Sequence, residues 1–175
     1  MKRQFLLFLI VFGFIQLGAQ TLVSTDVLPK IAVLEEYTGI HCTYCPDGHA
    51  IAAAILENNP GRALTIAIHQ GSFAAPSTGE PDFRTPWGNA LAGQTGLTGY
   101  PSGTVNRHVF SGSLTALSRG DWTSRCNEIM AQPSPVNVGI ESNYNATTRE
   151  LTVHVELYYT ANATQPTNYI NIALL

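Results

Sequence analysis

The chain has 175 residues, a formal net charge of -3 and only 12% charged residues. It carries neither the basic patch a polyanion partner would require nor an acidic tail, so nucleic acid is not an implied partner. Its three cysteines, Cys42, Cys45 and Cys126, leave one over if the close pair bonds to itself.

Met1 to Gln20 opens with Lys2 and Arg3, runs through an uncharged apolar stretch from Phe5 to Ile15 and ends Leu17-Gly18-Ala19. This predicts a signal peptide over residues 1–19, cleaved after Ala19. The alternative, a retained anchor, fails on length: about 15 residues at about 1.5 Å each reach roughly 22 Å, short of a hydrocarbon core of about 30 Å. No cysteine stands at the cleavage point, so lipid attachment is not expected, and the mature chain has no expected transmembrane span. Export to the periplasm, the outer membrane surface or the medium places the cysteines where disulfides persist. Residues 20–29 read as a linker.

Lys30 to Tyr37 contains a short continuous apolar run, the pattern of a strand buried on both faces of a mostly parallel sheet. Thr38-Gly39 ends it. Pro46 to Leu56 is rich in helix formers, with Pro46 in the first turn where its missing N–H costs nothing, and Asn58-Asn59-Pro60-Gly61 stops it. Ala63 to His69 is a second apolar strand. Strand, helix, strand makes a βαβ unit with a right-handed crossover. Gly71 to Gly99, rich in Gly, Pro, Ser and Thr, reads as an insertion over one sheet face with a short helix at Trp87 to Ala92. Thr104-Val105-Asn106 is a short strand, with a hairpin-like return at Val109-Phe110. A further helix spans Gly120 to Met130, with Asp121 as N-cap and Trp122, Cys126, Ile129 and Met130 along one face. Cys126 reads as a buried small hydrophobe there. His69 and His108 are expected to bond to nearby backbone.

After Pro133 and Pro135 the pattern becomes alternating: Val136, Val138 and Ile140, then Leu151, Val153, Val155 and Leu157, about a turn at Asn143 to Thr148. This is an antiparallel hairpin with one wet face. A lone hairpin is marginal, so residues 134–175 read as the start of a β-sandwich domain, and the apolar run at Asn168 to Leu175 reads as a truncated strand.

Cys42-Thr-Tyr-Cys45 lies between the first strand and the first helix, where a Cys-x-x-Cys pair does redox chemistry. The thiolate is the attacking species. At a helix N-terminus, lowering a thiol pKa from about 8.5 to about 7 raises the thiolate fraction from a few per cent to about half. His41 adds to this if protonated. Cys45, one turn further in, is then the shielded partner that resolves a mixed disulfide on Cys42. Glu36, six residues before Cys42, is placed to accept the proton of Cys45, although Glu35 competes for the inward position. Tyr100-Pro101 precedes a short strand, and a cis bond there would present its neighbour's backbone to a bound peptide. Candidate substrate-binding residues are therefore Tyr100, Pro101 and His41.

The order strand, Cys-x-x-Cys, helix, strand, long connection and Pro before a strand resembles the thioredoxin-like fold over residues 30–133. More narrowly, E-E-Y-T-G-I-H-C-T-Y-C-P-D-G-H together with G-Y-P-S-G-T-V-N-R resembles the Omp28-related outer membrane proteins of the Bacteroidota. The resemblance implies an α/β thioredoxin-like domain followed by β-rich sequence. It implies Cys42 as nucleophile, Cys45 as resolving cysteine, Glu36 as buried acid and Pro101 as the cis-proline. It also implies outer-membrane association and protein thiols or disulfides as partners. His-Cys-Thr-Tyr-Cys stands where thioredoxins have Trp-Cys-Gly-Pro-Cys, so the direction of electron flow is left open.

Two other readings compete. Cys42, Cys45, His41 and His49 offer metal-ligand atoms, but His41 adjoins Cys42, which makes tetrahedral ligation by both awkward, so neither a metal nor a cofactor is expected. A surface binding or adhesion protein with a merely structural disulfide is the other.

Overall fold

The computed structural model describes residues 22–163 and 165–175; the predicted signal peptide, residues 1–19, lies outside them. A four-stranded sheet has the order β2-β1-β3-β4. Strand β1 (Ala32–Thr38) is central, parallel to β2 (Ala63–His69) from Ala32↔Ala63 to Thr38↔His69. On its other side it is antiparallel to β3 (Ser102–Val105), with Leu34 opposite Val105 and Tyr37 opposite Ser102. The return strand β4 (Leu117–Ser118) pairs with β3. It replaces the expected return at Val109-Phe110, because Asn106 and Arg107 take positive φ and turn the chain away from the ladder. The Asn106 side chain instead accepts from Val33 N–H and donates to Ile31 O, both within 2.9 Å.

Because β1 is covered on both sides, its residues divide by the period of two. Ala32 and Leu34 join Ala52 and Ile55 of α1 (Cys45–Asn58) and Trp122, Cys126 and Ile129 of α3 (Trp122–Met130) in one core. Met130, expected on that face, is half-buried against it. Asp121 is the N-cap residue by position, but its side chain makes no capping hydrogen bond. The opposite face carries Tyr37 with Ile68, Ala92 and half-buried Leu91, Leu97 and Tyr100, so the insertion forms the second covering layer. Its helix, α2 (Pro86–Ala92), is capped by Thr85, whose hydroxyl accepts from Gly88 N–H at 2.9 Å. The histidines expected to bond to backbone make ring contacts instead: His69 lies 5.2 Å from the Phe83 ring and His108 lies 4.7 Å from the Phe110 ring.

The second sheet pairs β5 (Val136–Asn145) with β6 (Glu150–Tyr159) in antiparallel register. The alternation holds, but the covered side of β5 is the polar one. Val138 and Ile140 are each 62% exposed, whereas Asn137 and Gly139 are buried under residues 22–26. The Asn137 amide donates to Ser24 O and Asp26 O, and the missing side chain of Gly139 admits the Leu22 backbone. The mixed α/β fold with a separate antiparallel sheet is thus the one expected from the pattern of elements. Among the described residues no helix is long and apolar enough to cross a membrane.

Candidate functional site

Cys42 and Cys45 form a disulfide with their Cα atoms 5.4 Å apart, at the start of α1. The bend between them is closed by Cys42 N–H to Gly39 O at 3.1 Å and Cys45 N–H to Cys42 O at 3.3 Å. Gly39 is needed because a side chain there would run into the Phe73 carbonyl, which also accepts from His41 N–H at 2.9 Å. Pro46 follows Cys45 in the first helical turn, as the sequence predicts. The two sulfur-bearing residues differ in access: Cys42 keeps 8% of its surface and Cys45 1%. Around Cys42 the side chains of Ile40, Tyr44 and Phe73 are exposed, and the Arg119 guanidinium stands 5.7 Å from the Tyr44 ring centre while pairing with Asp47.

Glu36 shares the helix-facing side of β1 with Ala32 and Leu34, which settles the competition with Glu35. Its carboxylate is buried beneath Gly48, where a Cβ would come within 2.7 Å of Oε1 and about as near the Pro101 ring. Oε2 lies 2.9 Å from His49 Nδ1, and His49 Nε2 lies 3.3 Å from the Thr38 hydroxyl. Oε1 has no hydrogen-bond partner among the described residues. Burial pushes the Glu36 pKa above the usual carboxylate range, against the opposing pull of His49. Glu35 faces the other way and accepts from Arg107 and from the Thr104 hydroxyl.

The remaining candidates divide. The Tyr100-Pro101 bond is cis, and Pro101 packs on the α1 face that Cys45 and Gly48 occupy. Tyr100 turns its hydroxyl to the Gln70 amide and its ring edge to Phe73, 5.7 Å away. His41 swings out to the insertion, where Nε2 meets Glu80 Oε2 at 2.9 Å. Glu80 is held below the usual carboxylate range chiefly by Ser77 N–H, with His41 a smaller cause. His41 and His49 thus serve separate carboxylates. The sequence offers His49 only as a metal ligand; its spacing of four from Cys45, one helical turn, is the signal that both lie on one side of α1. Cys126 is a buried free thiol in the core, its pKa pushed up to about 11 by burial.

No family model and no curated protein matches the chain. Among solved structures it is similar to HBP35 of Porphyromonas gingivalis, with a TM-score of 0.50 and 19% identity over 66% of this chain and 38% of that one. It is also similar to a structural-genomics protein of Agrobacterium tumefaciens, with a TM-score of 0.47 and 11% identity over 79% of this chain and 71% of that one. The chain therefore spans well under half the length of HBP35, and the first likeness shows the thioredoxin-like fold alone.

Proposed function

We propose that this chain is an exported thiol-disulfide oxidoreductase of the Omp28-related kind, acting on envelope or extracellular proteins through Cys42 and Cys45. The observation that carries the reading is the unequal pair at the start of α1: Cys42 is the more accessible member, and Cys45 heads the helix face that lies on Glu36. A helix N-terminus favours the anion of a reduced Cys42. In this reading Cys42 attacks, Cys45 resolves, Glu36 handles the proton of Cys45, and Tyr100, Pro101 and His41 border the bound peptide. Residues 30–133 form the redox domain and residues 134–175 begin a β-sandwich. Lys2, Arg3 and the apolar run after them support export, and outer-membrane association follows from the family resemblance.

The test is reduction of a two-chain disulfide protein by dithiothreitol, with and without this protein. Wild type is expected to accelerate the reaction and Cys42→Ser to abolish the acceleration; equal rates for both would refute the enzyme. The second reading, a binding protein with a structural disulfide, draws on the open apolar side of β5, where Val138 and Ile140 are exposed. It is favoured if the disulfide resists dithiothreitol in the folded protein.

A further inference from the structure

The oxidoreductase reading leaves a problem that the geometry answers. A carboxylate sealed from water can take one proton but must lose it again before the next cycle, and Glu36 has only 3% of its side chain exposed. Among the described residues its sole bonded neighbour at Oε2 is His49, whose side chain is 47% exposed. One half-exposed imidazole therefore stands between the buried carboxylate and the surface, with Nδ1 on Glu36 and Nε2 beside the hydroxyl of buried Thr38. The two ring nitrogens of a histidine can take up and release different protons, so such a ring passes a proton on without leaving its place.

We propose that His49 is the proton outlet of Glu36, a positioning residue that couples the buried acid to solvent during resolution of the mixed disulfide. This rests on the oxidoreductase reading above. In the step concerned, substrate is joined to Cys42 Sγ. The Cys45 thiol gives its proton to the free Glu36 Oε1, and its sulfur attacks Cys42 Sγ. The Cys42–Cys45 bond forms, the Cys42–substrate bond breaks, and the electron pair leaves on the substrate sulfur, which takes a proton from water. Two electrons have passed from the dithiol to the substrate disulfide. The neutral carboxyl then turns about its Cγ–Cδ bond, which exchanges its two oxygens and brings the O–H to His49; Glu36 returns to its anion as Nδ1 takes that proton and Nε2 releases one to water. Dithiothreitol restores the dithiol.

Other groups around this path are accounted for. On α1, Asp47 is paired with Arg119 at the surface. On β1, Glu35 is paired with Arg107 and Tyr37 lies in the opposite core. On β2, His69 is near enough for the His49 charge to lower its pKa, after burial. The segment entering β3 brings Pro101, and α3 brings the core indole of Trp122, which cannot relay.

The experiment compares wild type, His49→Ala and His49→Asn in the full chain. Asparagine places an amide near Nδ1 and keeps a hydrogen bond to Glu36, but it cannot pass a proton. Steady-state turnover with dithiothreitol as reductant is followed against pH. Both variants are expected to turn over on the order of ten-fold or more slowly at neutral pH, at the low end of general acid-base effects. A wild-type rate and pH profile in His49→Asn would overturn the outlet, since His49 would then only hold Glu36 in place. A second readout needs no turnover: the Glu36 carboxyl titration in the oxidised protein, followed by carbon NMR. His49→Ala is expected to move its midpoint up, because the charge and the hydrogen bond of His49 both hold it down; an unmoved midpoint would overturn the coupling. If wild type exchanges no disulfide at all, the enzyme reading fails while this titration still judges the Glu36–His49 link.

Discussion

Replacing Gly48 by alanine tests the packing that brings α1 onto Glu36. In an ordinary helix interior the change would stabilise by about 1 kcal/mol, because glycine surrenders more backbone freedom than alanine. Here the new methyl carbon would sit 2.7 Å from Glu36 Oε1 and 3.0 and 3.1 Å from Pro101 Cγ and Cβ. None of the three can yield freely: the carboxylate is buried and tied to His49, and the proline ring is rigid. Overpacking of this kind costs about 1–3 kcal/mol, so the expected net change is a loss of about 1 kcal/mol, opposite in sign to the propensity gain. Urea unfolding of the oxidised protein measures it, with Glu36→Ala as a second background. Removing the carboxylate deletes the shortest overlap, so Gly48→Ala should become near neutral there, a coupling of about 1 kcal/mol. If Gly48→Ala stabilises wild type by the full helical increment, or costs the same in both backgrounds, the carboxylate does not lie against Gly48.

Two further expectations concern groups outside the pair. Arg107→Met strands the buried Glu35 charge and should cost about 2–3 kcal/mol, less than the roughly 3–5 for a fully buried pair because the Arg107 side chain is 37% exposed. The double change Glu35→Met with Arg107→Met should recover most of that loss in denaturant unfolding, and a single-variant cost of a few tenths would put the pair in the weak surface class. Cys126 supplies an alkaline signature: the folded thiol titrates at about 11 against 9.0 when exposed, so above pH 9 the unfolded chain loses a proton that the folded chain keeps. Stability should fall between pH 9 and pH 11 by about 3 kcal/mol from this group. Tyr37, pushed up to about 12, adds its own slope above pH 10, so the Cys126 share is read as wild type minus Cys126→Ala at each pH.

Much of the thioredoxin-like frame was readable before any coordinates. Pro46 after Cys45, the run of helix formers to Leu56 and the apolar strands on either side are local signals, and local signals are what a sequence carries openly. The face of β1 was not readable. A strand covered on both sides shows no polar alternation, so Glu35 and Glu36 look equivalent until something decides which layer each meets. Arg107, 72 residues away, claims Glu35, while α1 closes over Glu36 through Gly48 and His49. His41 shows the same limit in reverse, since adjacency to Cys42 suggested a role there and Glu80, 39 residues on, drew it outward. In β5 the alternation was visible, but which side is covered was decided by residues 22–26 and the Asn137 amide. The sequence alone determined that two cysteines stand at a strand-to-helix junction, because spacing and helix start are properties of neighbours. Which of the two acids lies under α1, and that His49 is bonded to it, only the tertiary structure decided, because burial and charge pairing belong to residues brought together from distant parts of the chain.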